Sequence, residues 1–368
     1  MRKLLILVSF LMMISLLMAC DTNDRNGDGS EPNYAWFDRN FFDVFDSIIN
    51  VRVYLEEGSN PLPIFETIDT ILWDVHRVST KYDLYDGVIN IKYLNENPGV
   101  YHTVDPMIIE MIELSMEIYE NPLTQQMFNI SLGSVLAVWS EYRNRCLNEA
   151  ICELPSQEAL ETAGQFIDPK LISIRHETSE IMIPEGMKLD LGGIAKGYGA
   201  HRVAEYLRSI EPKAFVVNAG TSNIEFFGSN PHPERDHWAI GLTNPFYDPQ
   251  KDSPHLSSYA VVRLEGGWNT VTSGDYERYY KVDGVEYHHI INPHTFYPTF
   301  HTRAVTVLTK DPVLGDILST VVFLLEIDDA LTLINSLDDI EMILIDRHGV
   351  VHFSDNLEAN HLVELRVD

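Results

Sequence analysis

Basic residues are scarce in this sequence: 26 Lys and Arg stand against 55 Asp and Glu in 368 residues, a formal net charge of −29. A surface that acidic repels nucleic acid and anionic lipid headgroups, so no nucleic-acid partner is expected. Any phosphate ligand must then be held by a local cation or by backbone dipoles. Long apolar runs are equally few. The one from Leu4 to Ala19 has sixteen residues, short of the roughly 20 that a comfortable spanning helix needs. There is no Walker loop, no GxGxxG fingerprint and no internal repeat. Cysteine is limited to Cys20, Cys146 and Cys152. The last two can pair across RNRCLNEAIC or stand as free thiols, and the sequence leaves both open.

What is present begins with Arg2 and Lys3 before that apolar run, which ends LLMAC. This resembles a bacterial lipobox. The expectation is a signal peptide over 1–19 and a diacylated Cys20 that holds the protein on the extracytoplasmic face of a cell membrane. Residues 20–39 read as a lipidated Cys followed by a flexible tether, since DTNDRNGDGSEP contains no apolar side chain to bury. Residues 40–368 are then one folded domain, long enough to bury a large core.

Within that domain, Asn40 to Ser59 reads as one strand, with a possible continuation into a hairpin. Ile64 to Tyr82 changes to helical spacing, and Tyr82 to Gly99 reads as a polar, turn-rich link. Asp105–Pro106 and Asp311–Pro312 each read as an N-cap with Pro at the first helical position. Residues 144–157 look like a polar insert, and Ser156 looks like a further cap. Ala214 to Tyr280 carries strand candidates at close intervals, WNTVTSGDYERYY among them, and Met342 to Asn356 reads as a hairpin. Mixed helices and antiparallel strands make the fold class α+β.

The chain centres on MKLDLGGIAKGYGA, Met187 to Ala200. An alternating apolar strand reaches Leu191, two glycines follow, and a helix runs from Ile194 to Ile210. Gly-Gly lets backbone approach a ligand, a helix start offers N–H groups to an anion, and Lys196 falls in the first turn. Asp316 and Thr320 sit four apart on the Asp311 helix, so a carboxylate and a hydroxyl share a face. Both are hard oxygen donors, suited to Mg²⁺ rather than zinc. His288 and His289 are adjacent on a strand and must point to opposite faces, so that only one enters a cleft. Asp275 and Arg278 could pair to orient their loop.

Together with VVNAG, TSGDYER, YHHIINPHT and GDILST in that order, this stretch resembles the ApbE family of FAD:protein FMN transferases. The resemblance runs from about Phe41 to the C-terminus. It implies a two-lobed, T-shaped fold with antiparallel sheets and flanking helices. Asp190, Lys196, Asn129, Ile290 and Phe45 become contacts of the cofactor FAD. Asp316, Thr320 and the carbonyl of Gly193 become ligands of Mg²⁺, and His289, with Asp316, becomes catalytic. Asn129 stands where many members have Asp, Phe45 where they have Met, and Phe296 where they have Gly. The implied activity is Mg²⁺-dependent transfer of FMN from FAD to a Thr or Ser hydroxyl of an acceptor flavoprotein, a subunit of an electron-transfer or reductase system, with release of AMP. The alternatives are hydrolysis of FAD to FMN and AMP at the same site, or a flavin-binding lipoprotein without catalysis.

Overall fold

The computed structural model describes residues 33–220, 222–232, 235 and 237–366, so the expected signal peptide and Cys20 lie outside the described residues. The first strand, Tyr34–Val44, starts inside the expected tether and pairs with Ser47–Glu56. Its early start has an apolar cause: the rings of Tyr34 and Trp36 lie 5.5 and 5.0 Å from that of Tyr54 across the pair. Of the readings open for Asn40 to Ser59, a strand or its continuation into a hairpin, the structure has the hairpin. Phe45 and Asp46 make its turn, at φ of 53° and 50°.

This hairpin opens an eight-stranded sheet. Its spatial order is Tyr34–Val44, Ser47–Glu56, Ala214–Ala219, Asn223–Phe227, Asn269–Gly274, Thr302–Thr309, Ile340–Asp346, Val351–Phe353, with every neighbouring pair antiparallel. Both faces are covered. On one, Val51, Val53, Phe215 and Val217 pack against the helices Leu62–Ser79 and Ala195–Ser209. On the other, Phe226, Leu308 and Ile343 meet Tyr259 and Val262 of a small sheet formed by Leu362–Leu365, Ser258–Leu264 and Trp238–Thr243. Helices with antiparallel sheets confirm the α+β class.

Pro312–Leu324 is the most enclosed helix. Eleven of its residues are buried, and the two that are not are Leu314 and Thr320. A helix apolar on nearly all sides belongs inside a core. Its cap forms as the sequence indicates, with Asp311 Oδ1 accepting from the N–H groups of Val313 (3.0 Å) and Leu314 (3.1 Å). Asp105 caps Pro106–Glu120 in the same way, and Ser156 caps Gln157–Ala163.

Four local readings change. Met187 to Leu191 joins no sheet; its one bridge is Leu132 with Lys188. Its alternation is still real, since Met187, Leu189 and Leu191 are buried, but Asn95 takes both backbone groups of Leu189 in place of a neighbouring strand (2.7 and 2.9 Å). The link from Tyr82 to Gly99 contains a short helix, Ile91–Glu96, capped by Asn90. The insert at 144–157 is helical as far as Glu149, and the Cys146–Cys152 disulfide closes the loop beyond. WNTVTSGDYERYY divides into Asn269–Gly274 and the start of the hairpin Tyr279–Val282 with Val285–His288.

Beneath the helices, Glu225 is fully buried on the sheet and paired with Arg208 of the Ala195–Ser209 helix. Burial raises its carboxyl to about 7, against the pull of Arg208. The folded protein therefore holds this proton more tightly than the unfolded chain, and the cost of ionised Glu225 grows as pH rises through that value. Arg208→Met is expected to destabilise the protein by about 3–5 kcal/mol near pH 8 and by less near pH 6. Urea unfolding at the two pH values measures the difference, and an equal loss at both would contradict this reading.

Candidate active site

The Ala195–Ser209 helix and the Pro312–Leu324 helix touch at a glycine. A Cβ on Gly197 would lie 2.8 Å from both Asp316 Cβ and the Pro312 carbonyl oxygen. Only hydrogen fits there. The closeness brings the Gly197 N–H to Asp316 Oδ2 at 2.8 Å and leaves Oδ1 for the space between the helices. That space is a cleft of about 330 Å³.

Most of the residues singled out in the sequence come together here. Phe45, Asn129, Asp190, Gly193, Lys196, His289, Ile290, Asp316 and Thr320 all line the cleft. Gly193 faces Thr320: a Cβ at 193 would sit 3.7 Å from Thr320 Oγ1 and only 2.8 Å from the ring of Phe128, so Ala at this position would displace that ring. Asp316, Thr320 and the adjoining Gly193 backbone form a set of hard oxygens. Among the described residues no three His, Cys, Asp or Glu side chains cluster for a metal. One carboxylate with neutral oxygens suits Mg²⁺, which keeps waters and takes substrate phosphate oxygens as its other ligands. The residues present fit that ion.

The anion-binding part differs from the simple helix-start expectation. Leu191 O accepts from the Ala195 N–H at 2.9 Å, and Asp316 takes that of Gly197, so these N–H groups are spent inside the protein. Side-chain cations supply the charge instead. Lys81, Arg143, Lys196 and Arg278 line the cleft together with Asp46, Asp190, Glu277 and Asp316. Within an acidic molecule the cleft is locally balanced.

Burial lowers the pKa of Lys196, while the Asp316 carboxylate beside it works the other way. Its Nζ donates to Ser222 Oγ at 2.8 Å. Asp316 is raised to about 6 by burial, opposed by Lys196 and by the Gly197 N–H. Both groups are poised for a partner that would stabilise their charged forms.

The adjacent histidines separate as expected. His288 is buried, its Nε2–H donating to Thr299 O at 2.6 Å and its Nδ1 accepting from the Ile290 N–H at 3.2 Å. Burial pushes it down to about 4. His289 is exposed and lines the cleft. The protein packed around the cleft lowers its pKa, with His288, Arg278 and Arg143 adding to the shift and a hydrogen bond to the Arg278 backbone opposing it. It is a neutral imidazole at working pH, able to accept a proton.

Several roles narrow. Asn129 lines the cleft, but its Nδ2 donates to Ile167 O (2.9 Å) and its Oδ1 accepts from both Ser131 N–H (2.9 Å) and Oγ–H (2.8 Å), which makes it a turn-former. Asp190 Oδ1 accepts from the Gly192 N–H at 2.8 Å, and its other oxygen pairs with Lys81. Phe45 packs on the helix, where a Cβ at Gly199 would meet its ring at 2.9 Å. Asp275 pairs with Arg303 at 2.8 Å and not with Arg278, because Thr302–Thr309 is the neighbouring strand and brings Arg303 alongside. That leaves Arg278 to the cleft. Phe296 takes φ 62°, the left-handed conformation that fits the Gly usual there in the resembled family. Lys81, Arg143 and Ser222 were missed. Lys81 and Ser222 act through contacts 109 and 26 residues away in sequence, which leave no local pattern.

The model of the ApbE family matches residues 45–344. A FAD:protein FMN transferase of Klebsiella pneumoniae is 31% identical over 223 residues, 60% of this chain and 64% of that one. One of Haemophilus influenzae is 28% identical over 284 residues, 76% and 78% of the two chains. The chain thus spans less than two thirds of the Klebsiella relative's length. The crystal structure of the ApbE protein of Thermotoga maritima superposes with a TM-score of 0.75 at 25% identity, covering 89% of this chain and 99% of that one.

His288 carries a testable consequence. Its folded pKa is depressed, so its contribution to stability is complete above its unfolded value of 6.5 and is lost as pH falls toward about 4. Relative to His288→Phe, wild type is expected to lose roughly 3 kcal/mol between neutral pH and the folded pKa. Parallel stability curves for the two proteins would show that His288 is not held neutral.

Proposed function

The chain belongs to the ApbE family, and we propose that it transfers FMN from FAD to a Thr or Ser hydroxyl of a partner flavoprotein, with Mg²⁺ and with release of AMP. The observation that carries the proposal is the meeting of two chemistries in one cleft: hard oxygens and a half-buried lysine with a neutral, accessible imidazole. The relatives named FAD:protein FMN transferase support it.

In this reading Asp316, Thr320 and the Gly193 carbonyl hold Mg²⁺. When bound, the ion neutralises pyrophosphate charge and fixes the phosphoryl group for in-line attack. Lys196 binds a phosphate oxygen, its charged form disfavoured by burial and favoured by the Asp316 carboxylate. His289 accepts the proton of the attacking hydroxyl. As the new P–O bond forms at the FMN-side phosphorus, the bridging P–O bond breaks and AMP leaves with that oxygen. Ile290 adds apolar contact to the cofactor.

The same proposal places the protein on the extracytoplasmic face of a membrane through a lipid on Cys20, where a flavin-bearing subunit of an electron-transfer or reductase system is its partner. Cys20→Ser is expected to release the protein from the membrane fraction. Retention of the variant there would remove the lipid anchor from the account.

His289→Ala is expected to slow AMP release by about 10²–10⁴-fold while FAD affinity changes little. Because Asp316 is raised to about 6, AMP release should fall as pH drops through that value, and saturating Mg²⁺ should move the fall to lower pH by competing with the proton. Single-turnover AMP assays across pH at two Mg²⁺ concentrations test this. A pH profile unmoved by Mg²⁺ would take Asp316 out of the metal site.

A further inference from the structure

The Gly192–Gly193 turn is fastened from several directions. The Asp190 N–H donates to Ile130 O at 2.8 Å, and Asn95 holds Leu189 by two hydrogen bonds. The Asp190 carboxylate then reaches forward to the Gly192 N–H at 2.8 Å. A Cβ on Gly192 would be 3.0 Å from Asp190 Oδ1, so carboxylate and turn are in close contact. Behind Asp190 stands Lys81, from the segment that follows the Leu62–Ser79 helix.

Both partners of that pair are largely enclosed, with side-chain exposures of 21% for Lys81 and 11% for Asp190. Burial opposes ionisation of each, and their mutual attraction overcomes it, raising the pKa of Lys81 and lowering that of Asp190. A carboxylate with one oxygen on a backbone N–H needs a cation for the other when it is removed from water. Lys81 is the cation that meets it. Removing Lys81 leaves Asp190 either neutral, with a weaker hold on Gly192, or charged and turned toward solvent. In both cases the next residue, Gly193, loses its fixed carbonyl direction.

We propose that Lys81 is a positioning residue for the metal site: through Asp190 and the Gly192 N–H it sets the orientation of the Gly193 carbonyl. The inference rests on the reading of Gly193, Asp316 and Thr320 as Mg²⁺ ligands. Groups that orient a ligand in this way typically change metal affinity about 10–100-fold when removed.

The test is metal binding by the full-length chain in detergent, without FAD, using Mn²⁺ as a paramagnetic probe and Mg²⁺ in competition. Lys81→Met is expected to raise the Mn²⁺ and Mg²⁺ dissociation constants about 10–100-fold, with Lys81→Arg recovering most of the loss. Asp190→Asn should weaken binding similarly. The double variant Lys81→Met/Asp190→Asn should be no weaker than either single one, because both act through one linkage. Should Lys81→Met unfold, the comparison of Lys81→Arg with Asp190→Asn carries the same test. Metal affinity within twofold of wild type in Lys81→Met, or additive losses in the double variant, would overturn the proposal. Loss of FAD affinity with metal affinity intact would assign Lys81 to the substrate instead, and overturn it equally. Absence of Mn²⁺ binding in wild type, or wild-type affinity in Asp316→Asn, would overturn the metal site itself, a separate outcome.

Discussion

The hydrogen bond from the Gly197 N–H to Asp316 Oδ2, 2.8 Å long, is the contact on which the site depends. It exists because two helices approach at a residue without a side chain, and because the second helix is buried along almost its whole length. Asp316 is thereby held inside the protein with one oxygen spent and one available. A carboxylate in that position is poorly solvated, and the ways to relieve it are a proton, the nearby ammonium of Lys196, or a metal ion. Lys196 follows from the same geometry, since it precedes Gly197 in the first turn of the helix.

The acidity of the whole molecule gives the rest of the site its form. A chain of net charge −29 cannot attract a pyrophosphate by its overall field. It gathers Lys81, Arg143, Lys196 and Arg278 around one cleft, drawn from four separate stretches of sequence. Elsewhere, cations such as Arg208 and Arg303 are paired with buried or half-buried acids. The protein packed around the cleft, together with Arg278 and Arg143, also lowers the pKa of His289 and keeps it neutral. In the proposed reaction the features that admit an anion thus also prepare a base.

Much of this was legible in the sequence, and what was not has a physical reason. The caps at Asp105, Ser156 and Asp311 were readable because a cap is decided by residues two or three positions away. The spacing of Asp316 and Thr320 gave a shared face for the same reason. Met187 to Leu191 has the alternation of a strand without being one, because alternate burial requires an extended chain and not a hydrogen-bonded neighbour. Asp275 was assigned to Arg278, its near neighbour in sequence, whereas strand pairing delivers Arg303. The Lys81–Asp190 and Lys196–Ser222 contacts belong to tertiary structure alone. Family resemblance located Asn129 but not the state of its amide, which the fold commits to Ile167 and Ser131.

In the proposed reaction a phosphorus of FAD moves to a hydroxyl on another protein. The most direct test is the intact mass of a candidate acceptor flavoprotein after incubation with this chain, FAD and Mg²⁺, with AMP measured in the same sample. FMN transfer yields an acceptor heavier by FMN less one water, with AMP released in equal amount, and no gain when its target Thr or Ser is replaced by Ala. AMP and free FMN with no gain in acceptor mass would contradict it, and would make water the nucleophile at this site.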